Sequence, residues 1–183
     1  MKKTTFLLLI VLNACSFNYN EKSQTSALYD YDVEEKITSL GITLSEPSKP
    51  VANYVNAVKT GNLIFMAGKG PKHSDGEFTI GKLGLDLTIE EGYEAARLTA
   101  IEQLSALKAE IGDLNRVSRI VKVTGMVNAD PAFTDHPAVI NGFSDLMVEI
   151  FGERGKHARA AVGMGSLPTN IACEIEMVVE ISN

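Results

Sequence analysis

The C-terminal segment alternates between apolar residues and residues of mixed character, a pattern typical of a β-strand with one buried face. The apolar set comprises Ile171, Cys173, Ile175, Met177, Val179 and Ile181. The opposite set comprises Ala172, Glu174, Glu176, Val178 and Glu180. We therefore expect one face of the sheet to pack on the core, and the other face to be either solvated or covered by a second subunit.

Two long helices are predicted upstream of this strand. Thr88 and Glu91 have the spacing of a capping box, and Gly112 ends the helix that they begin. Its apolar stripe recurs at spacings of three and four: Ile89, Tyr93, Ala96, Ala100, Leu104, Leu107 and Ile111. The second helix has Pro137 in its first turn and ends at Gly152. A shorter helix from about residue 33 is predicted to end at Gly41.

The remaining β-rich runs complete the fold class. Residues 54–58 and 63–67 flank the turn signal "KTGN", and residues 119–129 form another strand. A hairpin joined by "GSLPTN" is predicted at the end of the chain. The element order β-β-α-β-α-β-β predicts an α+β domain, in which one mixed sheet carries both helices on a single face.

The composition limits the kinds of molecule that the protein is expected to bind. The chain has 183 residues, a formal net charge of −6 and 45% hydrophobic residues, as expected for one globular domain. The acidic balance disfavours a nucleic-acid partner, since such binding depends on Lys and Arg neutralising phosphates. His73, His136 and His157 fit no metal-binding spacing. We expect no metal and no cofactor.

The N-terminus has the layout of a secretory signal. Two lysines precede an apolar run and the sequence "LNAC", which resembles the lipobox of bacterial lipoproteins. This interpretation predicts a signal peptide over residues 1–14, a lipidated Cys15 with a polar tether over 15–36, and a folded domain over 37–183. It places the protein in the cell envelope, attached to the membrane only through lipid. An ordinary signal peptide or a cytoplasmic location is the alternative.

Two charged residues stand out in "HARAAVGMGSLPTNIACEIEM". If the two strands form a hairpin whose paired residue numbers sum to about 333, Arg159 lies directly across from Glu174 on one face. One interpretation is a surface ion pair, which contributes about 0–1 kcal/mol. The other is a functional site.

The same run resembles the signature of the RidA (YjgF) family, in which a small residue and an arginine open a strand, a Leu-Pro turn follows and a glutamate has "EIEM"-like context. The likeness extends through "NYVNAVKTGNLIFMAGKGP" and "HPAVINGFSDLMVEIFGERGKHAR", and covers about residues 40–181. The "GKHAR" motif is similar to that of a branch described as endoribonuclease-like.

The resemblance implies a chorismate-mutase-like subunit that assembles into a homotrimer, with a central barrel and ligand clefts between subunits. It also implies hydrolysis of reactive enamines and imines, such as 2-aminoacrylate and its tautomer, to a 2-oxo acid and ammonium. The alternative functions are a non-catalytic trimer that binds or senses a small carboxylate and, less favoured, an endoribonuclease.

The family's site residues carry over as follows. Arg159 would hold the substrate carboxylate, because guanidinium offers a planar fork that lysine lacks. Glu174 would direct a water molecule as general base. Tyr54 would line the cleft, and Asn141 would belong to the wall contributed by the neighbouring subunit.

This sequence departs from the family at one position. Ala67 stands in "MAGKGP" where archetypal members have serine in a "TSGQ"-like context. A hydroxyl that could contact water or substrate is therefore missing. The backbone of Gly68 could still contribute an N–H donor.

Overall fold

The computed structural model describes residues 28–47, 50 and 52–182. The predicted signal peptide, Cys15 and residues 16–27 of the predicted tether lie outside the described residues. The elements are α1 (Val33–Ser39), β1 (Ala57–Thr60), β2 (Leu63–Lys69), α2 (Ile89–Ile111), β3 (Val117–Asn128), α3 (His136–Phe151), β4 (Ala158–Met164) and β5 (Cys173–Ile181). The predicted order of strands and long helices is confirmed.

Both long helices begin and end at the residues that the sequence signals predicted. The Thr88 hydroxyl accepts from the Glu91 backbone N–H at 3.2 Å, and the Thr88 N–H donates to the Glu91 carboxylate at 2.8 Å. Gly112 follows the last turn of α2 with φ +82°, a conformation that favours glycine. Pro137 lies in the first turn of α3, and Gly152 ends that helix. Capping hydrogen bonds therefore mark both ends of α2 and the C-terminal end of α3, whereas proline marks the start of α3.

The five strands form one mixed sheet with the order β1-β2-β5-β3-β4. β3 and β4 are parallel, and all other neighbours are antiparallel. The hairpin of β1 and β2 is confirmed, although β1 begins at Ala57 rather than at residue 54. The predicted hairpin of the last two strands is wrong. Because α3 connects β3 to β4 as a crossover, those strands pair in parallel, and β5 pairs with the opposite edge of β3.

The two long helices pack on a single face of this sheet, so the predicted α+β class is confirmed. The alternating apolar set of β5 is buried, including Cys173, whose thiol is free and fully inaccessible. The helices approach closely at Gly142, where a Cβ atom would overlap the Tyr93 carbonyl oxygen. This close approach fixes how α3 is rotated against α2. It thereby also sets the direction in which the preceding residue, Asn141, points.

The second sheet face, which we call the open face, is uncovered within one chain. Val58 and Phe65 lie opposite each other on it and are 55% and 45% exposed. A shallow cavity there is lined by Phe65, Lys122, Thr124, Glu176 and Val178, together with Met66 and Met177. The open face therefore mixes exposed apolar surface with charge.

The start of the domain differs from its predicted boundary at residue 37. The Tyr29 hydroxyl donates to the Val117 carbonyl at 2.5 Å, and the Tyr31 hydroxyl donates to the Ile150 carbonyl at 2.6 Å. Val33, the first residue of α1, is fully buried. Residues 28–36 are therefore part of the folded domain rather than of a tether. Among the described residues, no helix has the length and hydropathy to cross a bilayer.

Candidate functional site

The structure separates Arg159 from Glu174. Arg159 on β4 pairs with Val123, and Glu174 on β5 pairs with Met126, so that β3 lies between them. Val123 is fully buried on the helix-covered face, whereas Met126, three residues further along β3, points to the open face. The predicted cross-strand pair of Arg159 and Glu174 is therefore wrong. Within one chain, the two side chains belong to opposite faces of the sheet.

Arg159 is held by two neutral oxygen atoms of α3. Its Nη1 donates to Asn141 Oδ1 at 3.0 Å and to Ser144 Oγ at 2.9 Å. Asn141 and Ser144 are three residues apart, a spacing that places them on the same face of a helix. Asn141 therefore meets Arg159 within one chain, rather than approaching it only from a neighbouring subunit. We call Arg159, Asn141, Ser144 and His157 the arginine cluster.

The charge of Arg159 has no acidic partner in the described part of the chain. The ion pairs found there join Arg97 to Glu149, Lys108 to Glu34 and Lys156 to Glu153. Nη1 is occupied by Asn141 and Ser144, whereas Nε and Nη2 bond no described protein acceptor. A partly buried, immobilised guanidinium with one free edge is suited to binding a planar anion such as a carboxylate.

His157 completes the arginine cluster. Its Nδ1 lies 2.7 Å from the Gly155 carbonyl oxygen, and its Nε2 lies 3.0 Å from Ser144 Oγ. Burial is the main cause that lowers the pKa of His157, and the charge of Arg159 lowers it further. The lowered pKa favours the neutral imidazole. No sequence pattern pairs Ser144 with His157, because the two residues lie in different elements. The three-residue spacing of Asn141 and Ser144 was the sequence feature that could have indicated that Ser144 lies beside Asn141 in the site.

A second group surrounds Glu174 on the open face. A Cβ atom at Gly68 would overlap Glu174 Oε1 and lie 3.0 Å from Glu174 Cδ, so the carboxylate rests directly on the Gly68 backbone. Burial is the main cause that raises the pKa of Glu174 above its ordinary value, and the negative charge of Glu176 raises it further. We call Glu174, Glu176, Ala67 and Gly68 the glutamate cluster. It contains a carboxylate whose raised pKa suits a general base.

Gln103 supports this cluster from the core side. Its Nε2 donates to the carbonyl oxygens of Ala67, at 2.9 Å, and of Ile175, at 2.6 Å. The pairing of β2 with β5 is irregular between Met66 and Lys69, and this irregularity includes Gly68. The amide N–H₂ of the fully buried Gln103 thus satisfies the Ala67 carbonyl, which lies in the irregular stretch, and also bonds the Ile175 carbonyl, while Gln103 Oε1 bonds no described donor. The sequence did not predict a role for Gln103, because the apolar stripe of α2 is complete without that position.

We predict that Gln103→Met destabilises the domain by about 1–3 kcal/mol, since it removes the side-chain donor from the buried Ile175 carbonyl and the partly buried Ala67 carbonyl. Urea unfolding followed by circular dichroism measures the change in the free energy of unfolding. Glu110→Met, at an exposed position of the same helix, is the control and should change that free energy little. Equal stability of wild type and Gln103→Met would show that the amide does not support the sheet.

Tyr54 lies in the loop before β1 and is 51% exposed. Its hydroxyl bonds no acceptor in the described residues, and it contacts neither cluster through a hydrogen bond. The structure thus brings together Arg159 with Asn141, and Glu174 with Gly68, but leaves Tyr54 apart. The described residues contain no group of three or more His, Cys, Asp or Glu side chains able to hold a metal ion.

The fold and these two clusters define an α+β protein with a hydrogen-bonded arginine on one side of the sheet and a carboxylate of raised pKa on the other. The family model described as "YjgF/chorismate_mutase-like, putative endoribonuclease" matches residues 34–181. The chain therefore belongs to this family, which is also known as the RidA family.

Known proteins support the same family. Protein TCP17 of Trypanosoma cruzi is 42% identical over 152 residues, covering 82% of this chain and 95% of that protein. A 2-iminobutanoate/2-iminopropanoate deaminase of Dermatophagoides farinae is 29% identical, covering 73% of this chain and 89% of the relative. A solved structure from Shewanella oneidensis MR-1 is 30% identical with a TM-score of 0.80, covering 82% of this chain and 100% of the other.

Proposed function

We propose that this protein hydrolyses reactive enamine and imine intermediates of the 2-aminoacrylate and 2-iminopropanoate type. The observation that carries the proposal is the arginine cluster: a fixed guanidinium that lacks an acidic partner among the described residues and keeps one donor edge free. Substrates of this class carry a carboxylate, which that edge would bind bidentately. The similarity to a deaminase of this specificity supports the choice of reaction.

The chemistry requires a water molecule and no cofactor. In the proposed mechanism, Arg159 holds the carboxylate of the imine and Glu174 accepts a proton from water as the oxygen attacks the imine carbon. Proton return to nitrogen and cleavage of the C–N bond release ammonia, which is protonated in solution, and leave a 2-oxo acid. Glu174 is suited to this role because burial and Glu176 raise its pKa.

One chain cannot bring its own two clusters to a single small substrate, since they lie on opposite faces of the sheet. Arg159 and Glu174 are two strands apart, roughly 10 Å across the sheet, and the sheet itself separates them. We therefore propose a homotrimer in which the arginine cluster of one subunit faces the glutamate cluster of the next. The exposed apolar residues of the open face, including Phe65, would be covered by this assembly. A monomeric mass at micromolar concentration would contradict it.

The first test is direct. An amino acid oxidase acting on alanine supplies 2-iminopropanoate, and semicarbazide traps the imine in competition with hydrolysis. The full-length protein should lower the yield of trapped imine in proportion to its concentration. If trapping is unchanged while pyruvate still binds, the chain is better described as the carboxylate-binding alternative, which the absence of a serine hydroxyl at Ala67 favours.

We predict a pH dependence that reports Glu174. The ionised carboxylate is the active base, so kcat should fall as the pH drops through the pKa of Glu174, which is higher than that of an ordinary glutamate. Glu176→Gln removes one of the two causes that raise this pKa. The acidic limb of the kcat profile should therefore move to lower pH. An unmoved limb would show that another group controls it.

We also propose that the mature chain is attached to the bacterial cell envelope through lipid on Cys15. The support is the lipobox-like sequence "LNAC" alone. Mass spectrometry of the mature N-terminus tests the proposal. A diacylated or triacylated Cys15 is expected, and an intact Met1 would contradict it.

A further inference from the structure

We propose that Ser144 and His157 act together as a positioning pair for Arg159, and that this pair sets which edge of the guanidinium receives the substrate carboxylate. The inference rests on the proposed function for its ligand. Its geometry is that of the arginine cluster, in which His157, Ser144 and Arg159 form a continuous series of hydrogen bonds across α3 and β4.

The direction of each hydrogen bond follows from the partners. A carbonyl oxygen only accepts, so the 2.7 Å contact with Gly155 requires the proton of neutral His157 to be on Nδ1. Nε2 is then an acceptor, and the Ser144 hydroxyl donates a hydrogen bond to it with an O···N distance of 3.0 Å. With its proton directed to His157, Ser144 Oγ presents lone pairs to Arg159 Nη1 at 2.9 Å. Each bond thus determines the orientation of the next.

The surroundings of His157 favour this single arrangement. Phe143 on α3 contacts the imidazole edge-on, with ring centroids 6.4 Å apart. The positive charge of Arg159 on β4 interacts electrostatically with the imidazole, and the Gly155 carbonyl oxygen lies on a third side of the ring. Protonation of His157 would place a second cation beside Arg159. Neutral histidine is therefore the form that matches the serine acceptor.

The free donors of the cluster define the ligand. Asn141 and Ser144 occupy Nη1, so Nε and Nη2 remain as a side-on fork. Since Asn141 uses Oδ1 for Arg159, its Nδ2, which bonds no described residue, remains as a further donor. The exposed groups are therefore donors, with no acceptor aimed at the ligand from this cluster. A carboxylate with an adjacent carbonyl oxygen, as in a 2-oxo acid, fits this set.

Binding of pyruvate to the full-length protein, measured by isothermal titration calorimetry, tests the pair. We expect Ser144→Ala to weaken binding by roughly tenfold, as expected when one orienting hydrogen bond to a charged group is lost. His157→Ala should weaken it to a similar extent, whereas His157→Gln, whose side-chain oxygen can accept from Ser144, should restore most of it. KM for the imine should rise in parallel with little change in kcat.

The double variant Ser144→Ala/His157→Ala gives the sharpest result. If His157 acts through Ser144, the double variant should bind pyruvate as weakly as Ser144→Ala alone. Additive losses, or wild-type affinity in Ser144→Ala, would overturn the positioning pair. Thermal unfolding of each variant identifies losses caused by misfolding rather than by orientation.

A separate measurement distinguishes failure of the inference from failure of the proposed function. If wild type does not bind pyruvate, the proposed carboxylate site is wrong. The ¹⁵N NMR spectrum of the unliganded protein then decides the pair. An Nδ1-protonated His157 and slowly rotating Arg159 Nη groups, the latter lost in Ser144→Ala, would support it. An Nε2-protonated His157 would overturn it.

Discussion

Replacing Arg159 with alanine is expected to lower kcat/KM for 2-iminopropanoate by roughly 30- to 5,000-fold. The guanidinium has no acidic partner among the described residues, so a bound carboxylate would be its counterion, and losing one member of such a pair costs about 2–5 kcal/mol. Each 1.36 kcal/mol corresponds to about tenfold in rate. The competition assay with semicarbazide measures the change.

Arg159→Lys separates charge from geometry. Lysine keeps the positive charge but offers neither the planar fork nor the two fixed bonds to Asn141 and Ser144. We expect it to recover only a small part of the activity. Arg97→Ala is the matched control, because Arg97 carries the same charge but pairs with Glu149 at 3.3 Å between the outer faces of α2 and α3. Wild-type activity in Arg159→Ala would exclude this arginine from the site.

Gly68→Ala should reduce kcat by roughly 100-fold or more while the domain remains folded. The added methyl group would overlap Glu174 Oε1, and the terminal carboxylate can rotate away more easily than the backbone can move. Displacing a general base removes a contribution of about 10²–10⁴-fold. Because Arg159 is untouched, binding of pyruvate should change much less than kcat. The two quantities together separate loss of the base from loss of the carboxylate site.

Two further variants complete this experiment. Glu174→Gln should give a similar fall in kcat without altering the backbone. Gly165→Ala is the control for a glycine replacement, because a Cβ atom there meets no atom within 4 Å. Normal kcat in both Gly68→Ala and Glu174→Gln would show that Glu174 does not activate water, and would leave the arginine cluster as a binding site.

The sequence was sufficient for the parts of the fold that depend on local chemistry. The capping box at Thr88 and the glycines after both helices mark boundaries through hydrogen bonds to nearby backbone, and the proline in α3 lies in the first turn, where its missing N–H costs no intrahelical bond. The alternation in β5 identified its buried face, including Cys173, because the two-residue period of a strand is a property of the backbone itself. The family resemblance identified Arg159 and Glu174 as candidate site residues.

The neighbours of each strand were decided only by the tertiary structure. A strand's sequence determines which of its faces is buried, but the hydrogen-bonding groups of its backbone are the same whichever strand lies beside it. The crossover through α3 placed β4 beside β3, so Arg159 faces α3 rather than Glu174. The same packing joined Ser144 to His157 and Gln103 to the β2 backbone. The chemical groups were therefore visible in the sequence, whereas their partners depended on contacts between distant segments.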